Sequence, residues 1–281
     1  MSPMTLPGLE AARIRYEEEY RRHFTEGESK APGIGMPRCL ESPGSKLGLV
    51  LVHGYMAAPE EVALLAERIR ALGVTVYLPR LPGHGTAPGN LESVGRGDWV
   101  RAVAEAVDDL GPRVERLAIG GFSTGAGLAL LEAERRPERY AAVLSLSAPL
   151  VLADPRARLL GALDRGKALA RRLGLARLGA NFMPNHPDNP DINYARNCVH
   201  GMAEVKRLMD EVGRGLGSLR APLLVAQGSG DPTIRADAPA MIHARAGSPR
   251  KRLLIVPSER HGIVRGPALE ATFAAVEAFL R

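Results

Sequence analysis

From Leu47 onward the spacing of apolar and polar positions switches repeatedly between two periods. Short runs are apolar at nearly every position, as in Leu47-Gly-Leu-Val-Leu-Val52. Longer runs place apolar residues every three or four positions. The first kind reads as a strand covered on both faces, the second as an amphipathic helix. Strands are expected at Leu47–Val52, Val74–Leu78, Leu117–Gly121, Ala141–Leu146, Pro222–Gln227 and Arg252–Val256. Helices are expected at Pro59–Leu72, Asp98–Leu110, Thr124–Arg136, Asp237–Ala246 and Gly266–Leu280. Strands alternating with helices in this way indicate an α/β fold, a mostly parallel, doubly wound sheet.

Two stretches break the rhythm. Between Pro149 and Arg220 the apolar spacing is helical and no convincing strand appears. A segment of that length is too long for a plain loop between strands. It reads as a helical cap inserted before the last two strands, over the carboxyl edge where open α/β sheets place their ligands. Ahead of Leu47 lies a leader with a helix at Gly8–His23 and an edge strand at Met36–Glu41. The expected division is therefore a leader (1–46), a first core part (47–148), the cap (149–220) and a second core part (221–281).

Composition narrows the setting. A hydrophobic content of 45% in 281 residues suits a globular chain with a real core. No run of about 18 apolar residues occurs, so no transmembrane helix is expected. Glu17-Glu18-Glu19 stands where a signal peptide would need an apolar stretch, which points to a cytoplasmic protein. Cys39 and Cys198 lack metal-type spacing and read as two reduced thiols. The net charge of +6 is spread along the chain, aromatics are only 4%, and no nucleic-acid-binding motif is present, so no nucleic-acid partner is expected.

The chemistry centres on Gly121-Phe122-Ser123-Thr124-Gly125, which joins a strand-like run to a helix-like run. In that setting Gly-x-Ser-x-Gly is a nucleophile elbow, a turn sharp enough to project the serine hydroxyl into open space. Serine needs a histidine base, and the histidine needs a carboxylate to hold its tautomer. In such sheets the acid and the histidine follow the serine in that order, on loops after strands. Asp231 follows the strand ending at Gln227, and His261 follows the strand ending at Val256. Asp154 is the alternative acid. Two backbone N–H groups must also face the developing oxyanion. Thr124, next to the nucleophile, supplies one; Tyr55, in His53-Gly54-Tyr55-Met56 after the first core strand, is assigned the other, its phenol a candidate for lining the acyl pocket.

Leu51-Val-His-Gly-Tyr55, Pro82-Gly-His-Gly85, Gly121-Phe-Ser-Thr-Gly125, Gly228-Ser-Gly-Asp231 and Ser258-Glu-Arg-His-Gly262 together resemble the α/β-hydrolase fold. Within it they are most similar to the monoacylglycerol lipases and small bacterial carboxylesterases, over Leu47 to Arg281. The resemblance implies hydrolysis of a carboxylic ester through an acyl-serine, with no metal or organic cofactor. It also implies a structural role for His84 in the Pro-Gly-His-Gly loop. The small-molecule substrate is expected to be an ester or lipid. A thioesterase, a lysophospholipase, a small peptidase, a cofactor-free perhydrolase and a binding protein of the same fold remain open alternatives.

The cap bears on the substrate. Leu159, Leu160, Leu163, Leu169, Leu173, Leu175 and Leu178 are interleaved with Arg156, Arg158, Arg165, Lys167, Arg171, Arg172 and Arg177. This reads as a basic, solvated face over an apolar one that roofs the acyl pocket, favouring medium or long acyl chains. The alternative is peripheral contact of the same basic amphipathic stretch with an anionic membrane surface.

Overall fold

A strand apolar on both faces must be covered on both sides, and the computed structural model of the chain, which describes residues 4–172 and 181–281, does this for the central strands. The leader forms α1 (Pro7–His23), a single-turn α2 (Pro32–Gly35) and β1 (Arg38–Leu40). The first core part supplies β2 (Leu47–Val52), α3 (Ala63–Arg70), β3 (Thr75–Leu78), α4 (Arg96–Leu110), β4 (Arg116–Phe122), α5 (Thr124–Arg135) and β5 (Ala142–Leu146). Then come α6 (Leu160–Arg172), β6 (Phe182–Pro184), β7 (Arg196–Cys198) and α7 (Val199–Gly215). The chain closes with β8 (Leu223–Gly228), α8 (Ala238–Arg245), β9 (Lys251–Val256) and α9 (Leu269–Leu280).

The main sheet has the order β1-β3-β2-β4-β5-β8-β9. All its pairings are parallel except that of the edge strand β1 with β3. Every residue of β2, β3, β5 and β8 is buried, as the uninterrupted apolar runs required. One face of the sheet is covered by α4, α5, α7 and α8, which meet it through residues such as Val107, Leu130, Leu208 and Ile242. The other face is covered by α3 and α9, through Leu65, Ile69, Val276 and Phe279.

The leader is fastened to this body. Leu9 donates its N–H to Asp109 Oδ2 on α4 at 2.8 Å, and the Arg80 guanidinium binds Glu19 at 2.6 Å. The Tyr16 hydroxyl lies 2.7 Å from the carbonyl of Pro32 and 3.1 Å from that of Gly85, reaching the Pro82–Gly85 loop.

The 149–220 segment differs from its helical reading in two ways. It contains the small antiparallel hairpin β6–β7, whose three-residue strands are too short to leave a period in the sequence. Its last helix, α7, lies in the sheet-covering layer against α5, burying Leu208, Met209 and Val212. The roof of leucines is also corrected. Leu160 reaches the cavity described below, but Leu159, Leu163 and Leu169 are exposed. The inward position of α6 belongs to Asp164, only 5% exposed, which accepts from Arg207 at 2.7 Å and contacts His200 Nδ1 at 3.0 Å on α7. That buried polar clasp sets the rotation of the helix and turns the neighbouring leucines outward. Leu173, Leu175, Arg177 and Leu178 lie outside the described residues, as do the side chains of Arg158, Arg171 and Arg172. Among the described residues no helix is long and apolar enough to cross a membrane.

Candidate active site

The elbow between β4 and α5 places Ser123 at φ 53°, ψ −120°, a conformation that L-residues adopt only when their surroundings impose it. Its N–H is held by the Leu146 carbonyl at 2.8 Å. The flanking glycines are there for space. A Cβ on Gly121 would meet the backbone of Gly125 and lie 2.7 Å from the Ala126 nitrogen. One on Gly125 would lie 2.5 Å from the His53 carbonyl oxygen and 2.6 Å from the Val52 carbonyl carbon. Backbone cannot yield to a methyl group at those distances, so α5 closes on the end of β2 only with glycine at both positions.

His261, on the loop after β9, bridges two of the residues singled out from the sequence. Its Nε2 lies 2.9 Å from Ser123 Oγ, and its Nδ1 lies 2.8 Å from Asp231 Oδ2. The Asp231 side chain has no solvent exposure, and its Oδ1 accepts the N–H groups of Thr233 at 2.8 Å and Ile234 at 3.1 Å. A carboxyl group so surrounded by donors acts as an acceptor, so Nδ1 carries the imidazole hydrogen and Nε2 turns its lone pair to the serine. The Phe122 ring contacts the imidazole, centroid to centroid 4.9 Å. Asp154, the alternative acid, is not brought to His261. It accepts the Arg156 N–H at 2.9 Å and pairs with that residue's guanidinium at the surface.

The turn after β2 lies beside the serine: a Cβ on Gly54 would stand 3.3 Å from Ser123 Cβ. His53 is fully buried, and its Nε2 accepts the Leu81 N–H at 3.2 Å. The hydrogen must therefore be on Nδ1, which donates to the Gly54 carbonyl at 2.8 Å. Burial, with His84 nearby, holds the His53 imidazole far below the ordinary histidine range, which keeps this neutral tautomer. His84, also buried, is held down to about 4 and stacks edge-on against His53, Tyr55 and Trp99. The Tyr55 phenol, expected as a wall of the acyl pocket, borders the cavity but spends its hydroxyl on the Cys198 carbonyl at 3.0 Å. Thr124 is the first residue of α5, so its N–H has no acceptor within the helix.

A cavity of about 380 Å³ opens over Ser123 and His261. Phe122, Leu152, Leu160, Met202 and Val205 give it apolar surface. The stretch from 185 to 197 brings Asn185, Asn189, Asn193 and Asn197, polar neighbours that a helical reading of the segment did not foresee. Glu61, from the turn of 3-10 helix at Pro59–Val62, also borders it and was missed. Its carboxylate accepts the Gly54 N–H at 2.7 Å, and burial pushes it above the ordinary carboxylate range. An acid two residues after a helix-starting proline looks like ordinary helix-end chemistry, so no sequence signal marked it. Among the described residues no group of three or more His, Cys, Asp or Glu side chains converges as a metal site would require.

The family model for serine aminopeptidase, S33, matches residues 44–268, most of the chain. The chain belongs to that family of α/β hydrolases. Thermostable monoacylglycerol lipase from Bacillus sp. (strain H-257) is 30% identical over 179 residues, 64% of this chain and 68% of that protein. The human monoglyceride lipase is 26% identical, with 78% of this chain and 76% of that protein aligned. Among solved structures, a metagenome-derived lipolytic enzyme superposes with a TM-score of 0.79 at 24% identity, covering 90% of this chain and 99% of that one. The monoacylglycerol lipase of Paleococcus ferrophilus superposes at 0.69 and 21% identity, covering 87% and 98%. This S33 chain is thus an ester hydrolase of the lipase and carboxylesterase type.

Proposed function

We propose that Ser123, His261 and Asp231 form a catalytic triad that hydrolyses carboxylic esters of medium or long acyl chain, in the manner of a monoacylglycerol lipase. The observation that carries this reading is the bridging imidazole, 2.9 Å from the serine and 2.8 Å from the aspartate. His261 Nε2 takes the Ser123 proton as Oγ bonds to the ester carbonyl carbon. The Tyr55 and Thr124 N–H groups receive the oxyanion. The imidazolium then protonates the departing alcohol as the C–O bond breaks. A water, deprotonated by His261, attacks the acyl-serine, and the proton returns to Oγ as the acid leaves. Asp231 stabilises each imidazolium. No step needs a metal or an organic cofactor.

The apolar contributors to the cavity suit an acyl chain, and the asparagines from 185–197 suit an alcohol rich in hydroxyl groups. Exposed Leu163 and Leu169, on a helix that also carries Arg165 and Lys167, with exposed Leu159 just before it, suit a lipid–water surface where long-chain esters reside. The test is a panel crossing acyl length with head group, glycerol against simple alcohols and against amino-acid amides, run on wild type and Ser123→Ala. Octanoyl and longer glycerol esters should be preferred, and the variant should be inert on all of them. A preference for acetyl esters would end the chain-length assignment. Faster turnover of amides than esters would put a peptidase in its place. Turnover by Ser123→Ala would remove the triad.

A further inference from the structure

Gly54 is held by side chains at both of its peptide groups. The Glu61 carboxylate accepts its N–H at 2.7 Å, and His53 Nδ1 donates to its carbonyl at 2.8 Å. The carbonyl of Gly54 and the N–H of Tyr55 belong to one trans peptide plane, so they point in opposite directions. Once His53 holds the carbonyl, the Tyr55 N–H must face away from that imidazole. The preceding peptide, between His53 and Gly54, is fixed by Glu61 alone among the described side chains. Glycine has the freest backbone of any residue, and a glycine released at either end can rotate both neighbouring peptides.

Glu61 is shaped for this task. It is 6% exposed although it borders the cavity, and the Glu61 N–H binds the Ala58 carbonyl at 2.9 Å. That turn folds the side chain back across the loop it follows. Its second oxygen, Oε1, lies 3.4 Å from Asn193 Nδ2, which ties the 185–197 stretch to the same carboxylate. A buried carboxylate costs stability unless its acceptor capacity is used, and here Oε2 takes a backbone amide beside the nucleophile while Oε1 faces Asn193. A Cβ at Gly54 would lie 3.0 Å from Oε2, so glycine also leaves room for the carboxylate.

We propose that Glu61 is a positioning residue for acyl transfer: by gripping the Gly54 N–H while His53 holds the Gly54 carbonyl, it keeps the glycine from rotating and so keeps the Tyr55 N–H toward the oxyanion. The inference rests on the oxyanion role of Tyr55 given under the proposed function. Glu61 itself gains no bond to the reacting atoms. It acts in the transition state, through Gly54, and so governs turnover and not ground-state affinity.

Steady-state hydrolysis of p-nitrophenyl octanoate by wild type, Glu61→Ala, Glu61→Gln and Ser123→Ala tests this. Removing an oxyanion donor outright costs about 10²–10³ in kcat; loosening one while Thr124 stays in place should cost Glu61→Ala about 10–100-fold, with KM within about 2-fold. Glu61→Gln keeps a carbonyl oxygen for the Gly54 N–H and can meet Asn193 by a turn of that amide, so it should recover kcat to within about 3-fold of wild type. Should Glu61→Ala fail to fold, Glu61→Asp replaces it. Its carboxylate is one methylene short of the amide, and the same loss of kcat is expected. An unchanged kcat in the Ala or Asp variant overturns the proposal. So does a loss expressed in KM, or a Gln variant as slow as Ala. Ser123→Ala separates the two levels: if it is inert while Glu61→Ala is fully active, the triad stands and the positioning role falls. If Ser123→Ala turns over, the underlying reading has failed first.

Discussion

Glu134, on α5 far from the serine, offers a stability test that depends on pH. The residue is 9% exposed, and Oε1 is buried with no hydrogen-bond partner among the described residues. Burial, reinforced by the neighbouring Glu211 carboxylate, pushes its pKa from an ordinary 4.5 up to about 8. The folded protein therefore holds Glu134 neutral over a range in which the unfolded chain ionises it. A raised folded value means that stability is fully present below pH 4.5 and is lost as pH rises through about 8. With about 1.4 kcal/mol per pKa unit, the cost is below about 1 kcal/mol at pH 5 and on the order of 3 kcal/mol at pH 7. Glu134→Gln stays neutral and does not incur it. At about 2–4 °C per kcal/mol, the variant should melt about 6 °C or more above wild type at pH 7. At pH 5 the two should nearly coincide. Thermal melts of both proteins between pH 5 and 8 measure this. A melting difference that stays constant over that span would refute the reasoning, because a packing effect has no reason to follow proton concentration.

Other consequences are as direct. Asp231→Asn presents an amide to His261 Nδ1, which favours the wrong tautomer; kcat should fall by about 10⁴ with the melting temperature little changed, measured by ester hydrolysis and circular dichroism. Ser123→Gly relieves the backbone at φ 53° and should raise stability by about 1 kcal/mol in urea titration while abolishing turnover, and a destabilised variant would contradict the strain. Gly125→Ala drives a methyl into the Val52 and His53 carbonyls and should leave little soluble folded protein; normal yield and activity would show that α5 can move away from β2.

The sheet and the convergence of Ser123, Asp231 and His261 were legible because their signals are local. Each core strand is a mostly apolar run, and each of those three residues stands in the turn or loop just beyond such a run. Parallel strands with covered faces then bring those loops to one edge regardless of the intervening chain. The features that were not legible depend on contacts no window contains. The β6–β7 hairpin has three residues per strand, one of them Pro184, and shows no alternation. The outward turn of Leu163 and Leu169 follows from Asp164 meeting Arg207 and His200, which lie some forty residues along the chain. Glu61 looks like an acid at a helix start until the turn folds it back onto Gly54. His53 reads as part of the oxyanion-side loop after the first core strand, and its tautomer is settled only by the distant Leu81 amide.

The most direct measurement is intact-mass and peptide mass spectrometry of the protein quenched during turnover of a slowly deacylating long-chain ester, and in parallel after treatment with a fluorophosphonate. The account expects one acyl or phosphonyl group per chain, carried on the peptide containing Ser123, and none in Ser123→Ala. An adduct on any other residue, or ester turnover undiminished after Ser123 is fully blocked, would contradict it.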